Sequence, residues 1–421
     1  MATTSKQKTE KVPEIRFSGF PNKWNYTVLS EMLVESKKRN LDLRFGKDKV
    51  LSVSGESGIV NQIEHLGRSY AGVSVHNYHV VDVGNIVYTK SPLKENPYGI
   101  IKLNKGKEGI VSTLYAVYKV KDERASGSFL DHYFSLDANT NRYLRPLVKK
   151  GAKNDMKINN SYVLHDGIFI PTINEQRKVA QFLDSVDAWI ANLRTQSKSL
   201  EQYKKGVMQK IFTQKLRFKD DNGKEYSKWT KMSLSDIGDT YNGLTGKTAN
   251  DFGEGVPFIT YKQIFDNTQI DVSKCALVNI NKDENQNRAQ FGDVFFTTSS
   301  ETPLEVGYSS VLLDEHASPY LNSFSFGFRP KSLKKLDPLF SKFFFRSSPF
   351  RKEVIILAQG STRYNISKTE FMKILVTIPS LAEQNKISVF LNDIDMAIES
   401  KKQQIANAKK WKKALIQSMF I

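Results

Sequence analysis

A chain of 421 residues is long enough for roughly two to three domains, each able to bury a core of its own. It carries 62 Lys and Arg against 44 Asp and Glu, a formal net charge of +18, so its surface attracts polyanions, nucleic acid foremost. The single cysteine, Cys275, excludes an intramolecular disulfide and a cysteine-based zinc cluster, and no run approaches the ~18 apolar residues that span a bilayer. The opening "MATTSKQKTEKVPEIRF" lacks the apolar core of a secretory signal, so a cytoplasmic setting and no membrane partner are expected.

In chain order, residues 1–170 read as a first globule. "GNIVYTKS" (84–91) and "VSTLYAVYKV" (111–120) are β-branched and aromatic runs bounded by turn residues, the mark of strands. A basic turn, "LVKKGAKNDMKI" (147–158), follows. Residues 171–215 read as one helix: from Glu175 to Gln214 there is no Pro, and Gly only at Gly206. Such a helix of about 40 residues is roughly 60 Å long at ~1.5 Å per residue. Apolar residues recur every seven positions, with Val179, Val186, Leu193, Leu200 and Val207 on one line and Phe182, Trp189 and Tyr203 on a second. Asn174 is the expected cap.

The pattern then starts again. "RFKDDNGKEYSKWTKMSLSDI" (217–237) answers "RFSGFPNKWNYTVLSEM" (16–32), and "GDVFFTTSS" (292–300) answers "GNIVYTKS" at an offset of 208 residues. "SFSFGFRP" (323–330) is a further strand, which makes 216–378 a second β-rich globule. Residues 379–421 read as a second long helix, with Ser380 as its cap. Its opening "IPSLAEQNKISVFL" (378–391) matches "IPTINEQRKVAQFL" (170–183) at seven of fourteen positions, again 208 apart. Its apolar lines are Ile387, Ile394, Ala408 and Leu415, and Phe390, Ala397 and Trp411. The two helices are expected to pair antiparallel, with Gln196 and Gln404 meeting in the middle and setting the register. The fold class is α+β, a tandem repeat with a common frame and divergent filling.

Catalytic motifs fail on inspection. "GLTGKT" (243–248) lacks the first glycine of a phosphate-binding loop, since Tyr241 stands there; Lys247 reads instead as part of a nucleic-acid-facing loop. "NPYG" (96–99) resembles the Asn-Pro-Pro-aromatic tetrapeptide of amino-methyltransferases but lacks the second proline. "HNYH" (76–79) has no clustered Cys, Asp or Glu to complete a metal site, so neither a metal site nor a catalytic residue is assigned. What remains is a set of basic, hydroxyl-rich turns suited to phosphates and base edges. These are Lys149, Lys150, Lys153 and Asn154 in the first half, and Ser361, Thr362, Arg363, Tyr364 and Asn365 after Gly360 in the second.

Two divergent globules, each followed by a copy of a "Pro…Glu-Gln…Phe-Leu" helix with "KK…Q…F" at its end, resemble the specificity subunit of Type I restriction–modification enzymes. The resemblance runs from "IRFSGFPNKW" to "LIQSMFI". It implies two target-recognition globules, each reading half of a bipartite, asymmetric duplex DNA site. It implies an antiparallel helix pair that separates them and docks two modification (methyltransferase) subunits and, through these, restriction subunits. Adenine-N6 methylation, ATP hydrolysis and cleavage would belong to the partners, with S-adenosylmethionine, ATP and magnesium bound there and no cofactor in this bacterial chain. By family position, Thr260, Tyr261 and Lys262 join the loop after Gly360 as recognition residues, with Thr89, Lys90 and Ser91 as their first-globule counterparts.

Two other readings stay open from the residues alone. A stand-alone DNA-binding regulator would need no docking surface on its helices, and repetition at Glu175/Glu383 and Lys204/Lys412, outside the expected seam, argues for a partner there. An enzyme with a degenerate site would bind S-adenosylmethionine or a divalent metal by itself.

Overall fold

The computed structural model describes residues 11–72, 74–150 and 156–420. Its contacts divide the chain into two units, one running to Arg194 and resuming at Gln403, the other Thr195–Lys402. Each long helix therefore gives its first half to one unit and its second half to the other.

In the first unit a four-stranded antiparallel sheet runs in the order Leu33–Glu35, Tyr115–Val120, Ile86–Thr89, Ile101–Leu103. Ile86–Thr89 is buried at all four positions, as its β-branched and aromatic composition requires of a central strand. Helices Gly127–Tyr133 and Asp137–Leu144 follow the strand Tyr115–Val120, and a two-stranded ribbon, Asn25–Val28 against Gly167–Ile170, leads into the long helix Ile173–Phe212.

The second unit repeats this order strand for strand: Gly238–Asn242, Ser325–Pro330, Val294–Thr297, Ser309–Val311. Helices Pro338–Phe344 and Ser348–Ile356 follow, and the ribbon Thr230–Ser233 against Leu375–Ile378 leads into the long helix Leu381–Met419. The strands expected from "VSTLYAVYKV", "GDVFFTTSS" and "SFSFGFRP" are all present. The α+β repeat of two β-rich globules and two long helices is the fold observed.

The repeated motifs have local physical reasons. Glu175, 1% exposed, accepts Nε and Nη2 of Arg16 at 2.6 and 2.7 Å and the indole of Trp24 at 3.3 Å. Glu383, 0% exposed, accepts Arg217 at 3.1 and 2.6 Å and the indole of Trp229 at 3.1 Å. A buried carboxylate is tolerated only when so paired, which explains why "RF…W" and the helix glutamate repeat together. The next residue is as constrained. Gln176 accepts the amide of Ser126 and donates to the carbonyl of Pro171, while Gln384 accepts the amide of Asp337 and donates to that of Pro379. Ser126 and Asp337 are themselves the N-caps of the short helices that follow them. At the far ends, Met419 and Phe420 enter the first unit's core, with Phe420 within 6.2 Å of Trp24, Phe129 and Tyr133. Phe212 enters the second unit's core against Phe340 and Phe344.

The helices pair antiparallel, as each unit shows by itself. In the first, Val179 and Leu183 share a core with Ile416 and Met419, and Val186 and Ile190 pack with Ala408. In the second, Glu201 pairs with Lys402 and Lys204 with Asp395. The buried line through Val179, Val186, Leu193 and Val207 and its copy through Ile387, Ile394 and Ala408 are as the heptad reading had them, with Leu200 and Leu415 partly buried. The second line is displaced by one residue. It consists of Leu183, Ile190, Ser197, Lys204 and Ile211 rather than Phe182, Trp189, Gln196 and Tyr203, and of Leu391, Ile398, Ile405, Lys412 and Met419 rather than Phe390 and Trp411. Phe182 and Phe390 are half-buried flanks, Trp189, Tyr203 and Trp411 are 47%, 53% and 46% exposed, and Gln196 and Gln404 face out. The aromatic rings are too bulky for the narrow seam and lie beside it. The polar seam positions carry charge instead: Lys204 meets Asp395 at 2.5 Å, and its repeat equivalent Lys412 meets Asp187. The caps also differ in part. Ser380 caps the second helix through its hydroxyl, whereas Asn174 lies inside the first helix, whose opening turn closes on the carbonyl of Thr172.

Candidate nucleic-acid interface

In the second unit the residues expected to contact DNA are held by a short ribbon. Tyr364–Asn365 pairs antiparallel with Ser299–Ser300, and the amides and carbonyls of Gln359 and Asn365 bond reciprocally across the loop between them. Gly360 has φ +134°, and a Cβ there would stand 2.1 Å from the carbonyl oxygen of Arg363, so only glycine closes this loop. Ser361, Thr362, Arg363 and Asn365 are exposed on it, and Tyr364 is half-buried. Thr260 caps the helix Tyr261–Asp266. The Tyr261 hydroxyl donates to the carbonyl of Ser299 at 2.7 Å and its ring stacks on Phe265 at 6.0 Å, while burial raises its pKa. Lys262 is exposed and pairs with Asp266 at 2.5 Å.

Two of the expected loops thus meet. Tyr261 and Arg363 line one cavity of about 390 Å³ with Phe265, Ser299, Ser300, Glu301, Glu305 and Phe324. Lys247 is not there: its side chain is almost wholly buried and bound to Glu284 at 2.5 Å, which depresses that carboxyl to about 2. An ammonium so neutralised is not available to a phosphate, and the expectation for Lys247 is withdrawn.

In the first unit Thr89 ends a central strand and is buried, its hydroxyl accepting the amide of Ser91, so it does not reach a ligand. Lys90 is half-buried, and burial lowers its pKa. Ser91 is half-buried beside it. Lys149 is exposed on a ribbon in which Lys149 and Lys150 pair with Lys157 and Met156. Lys153 and Asn154 lie outside the described residues.

Several residues of interest escaped the reading of the sequence. Phe324, 62% exposed, and the carboxylates Glu301 and Glu305 belong to the cavity, but nothing in their spacing marks them. In the first unit Arg68 lies 4.7 Å over the ring of exposed Tyr70. The repeated Glu175/Glu383 and Lys204/Lys412, expected to face a partner, are instead used up within the chain, and the argument from their repetition falls. Among the described residues one group, His132, Asp184 and Asp187, brings metal-ligating atoms within 4.8 Å of one another. Lys105, Ser128 and His132 already hold Asp184, and Lys412 holds Asp187, so charge is balanced there without a cation. Among the described residues no helix is long and apolar enough to cross a membrane.

The two units share one strand order, and exposed Lys149 in the first and exposed Ser361, Thr362, Arg363 and Asn365 in the second are groups suited to a polyanion. Residues 226–410 match the family described as Type I restriction modification DNA specificity domain. The chain is 24% identical, over 96% of its own length and 95% of the relative's, to the protein of Methanocaldococcus jannaschii assigned as the MjaX type I restriction enzyme specificity subunit. To the MjaVIII specificity subunit of the same organism it is 25% identical over 57% of this chain and 59% of that one. Among solved structures, a chain from a study of complex assembly and conformational transition of the type I R-M system is alike at TM-score 0.57 and 17% identity, covering 95% of this chain and 98% of that one. The S subunit of the M. genitalium Type I restriction-modification system is alike at TM-score 0.54 and 13% identity, covering 98% and 99%. Residues 226–410 thus match a Type I restriction modification DNA specificity domain, and over nearly its whole length the chain is similar to specificity subunits and shares their fold.

Proposed function

We propose that each unit reads one half of a bipartite, asymmetric duplex site, and that the paired helices set the spacing between the halves. The observation that supports this is the repeated four-strand order accompanied by ribbons that pair differently in the two units: one frame used twice with different surroundings. In this reading the target-recognition globules are residues 1–170 and 216–378, and the spacing helices are 171–215 and 379–421. Within this reading Lys149, Lys150, Lys153 and Asn154 serve the first half-site, and Tyr261 and Ser361–Asn365 serve the second. Phosphate contacts position the chain and base contacts select the sequence.

The chain also docks two modification subunits and, through them, restriction subunits. Exposed Trp189 and Trp411, 6.3 Å apart beside half-buried Phe182, offer an apolar face that supports this. Methyl transfer at adenine N6, the flipping of that base, ATP hydrolysis and cleavage then lie with the partners, as do S-adenosylmethionine, ATP and magnesium. The setting is the cytoplasm.

Methylated-base sequencing of the host genome, with the gene intact and deleted, tests the reading. Loss of one bipartite N6-methyladenine motif on deletion is expected, and an unchanged methylome would overturn it. Inserting four residues into each helix adds about 6 Å, and the nonspecific spacer of the motif should grow by roughly one to two base pairs at ~3.4 Å per step. An unchanged spacer would remove the spacing role.

A further inference from the structure

Resting on the DNA-reading role above, we propose that Glu301 selects an amino-bearing base, cytosine or adenine, at one position of the half-site read by the second unit. The cavity lined by Tyr261, Phe265, Phe324 and Arg363 opens beside the loop after Gly360 and is the place where two recognition loops converge. Its cation is Arg363. Its anions are Glu301, which is exposed, and Glu305, whose carboxylate accepts the hydroxyls of Ser300 at 3.2 Å and Thr302 at 3.0 Å. Among the described residues neither carboxylate forms an ion pair. Unpaired anions on the reading edge of a chain with a net charge of +18 oppose the phosphate backbone. A carboxylate is an acceptor only, so on DNA its one favourable partner is an exocyclic amino group. In the major groove cytosine N4 and adenine N6 offer that donor, whereas guanine O6 and N7 and thymine O4 are acceptors that it repels. Glu305, fixed by two hydroxyls, adds negative potential at the mouth of the cavity without moving. Exposed Phe324 supplies an apolar surface for a base edge. Arg363 supplies a cation for the flanking phosphate.

The test reads the methylation motif in the host with the full chain and its native partners. In a Glu301→Ala strain one position of one half-site should relax from cytosine or adenine to any base, with roughly ten- to hundredfold loss of discrimination there and the other half-site untouched. Glu301→Gln, which can donate as well as accept, should admit guanine or thymine at that same position. If deletion of the gene removes a motif but both Glu301 variants methylate the wild-type motif unchanged, the inference fails while the DNA-reading role stands. Complete loss of methylation in both variants at normal chain levels would mark Glu301 as structural and overturn the inference too. If deletion removes no motif, the DNA-reading role falls and this inference with it.

Discussion

The two helix entrances and the two edges proposed to read DNA behave in opposite ways. At the entrances the same three residues do the same work: Arg16, Trp24 and Glu175 in one unit, Arg217, Trp229 and Glu383 in the other. At the edges the solutions part. The first unit's basic ribbon, Lys149–Lys150 with Met156–Lys157, closes on itself, while in the second unit Tyr364–Asn365 adds to Ser299–Ser300, which follows the central strand. A buried carboxylate with a bidentate guanidinium tolerates almost no substitution, because removing one partner leaves a charge in a low-dielectric interior. A solvated loop tolerates nearly any. Duplication therefore preserved the entrances and released the edges.

That contrast can be broken or sharpened by measurement. The largest expected effects are at the entrances. Glu175→Ala and Glu383→Ala should each cost about 3 kcal/mol or more of unfolding free energy, measured by denaturant titration. A loss confined to one of them would end the equivalence of the two entrances. The helix ends come next: Phe420→Ala and Phe212→Ala should each cost about 3 kcal/mol, because each ring fills an aromatic cluster in one unit's core.

The third effect separates the units by pH. His79 in the first unit is buried, and burial, with Arg39 adding to it, lowers its pKa to about 4. Its folded pKa lies below the unfolded value of 6.5, so the unfolded chain binds the proton more readily as pH falls. The first unit should lose stability between about pH 6.5 and about pH 4. His79→Gln should flatten that loss in acid-unfolding curves, and an unchanged pH profile would show that His79 is not its source. A smaller effect is expected in the helix seam. Double-mutant cycles on Lys204–Asp395 and Lys412–Asp187 should each give roughly 0.5–1 kcal/mol. The former should be the larger, since Asp395 is 23% exposed against 42% for Asp187 and is less screened by solvent. The smallest belongs to the outward-facing glutamines: Gln196→Leu with Gln404→Leu should change stability by less than about 0.5 kcal/mol and leave the helix register as it is. A shift of register in a crystal structure of that double variant would return the glutamines to the seam.

Much of this was legible in the residues. A strict seven-residue repeat without proline can only be a long helix, and a 208-residue self-similarity can only be duplication, so the frame followed from local covalent and steric rules. Strand composition likewise exposed "GDVFFTTSS" and "SFSFGFRP". What the residues left open was which neighbour each side chain meets. The heptad lines for Phe182 and for Leu183 are both apolar and one residue apart, and only packing against the partner helix chose the smaller side chains for the seam. Glu175 and Lys204 look like solvated charges in sequence, yet Arg16 lies 159 residues from Glu175, and Asp395 is more remote still from Lys204. Lys247 looks free until Glu284 is folded against it. Charge in sequence is an isolated quantity, whereas its availability depends on counter-ions brought from far along the chain. The sequence by itself determined the duplication, the helices and the basic surface. Only tertiary structure decided which charges remain exposed and which are neutralised, because desolvation and pairing are properties of the folded surroundings rather than of the residue.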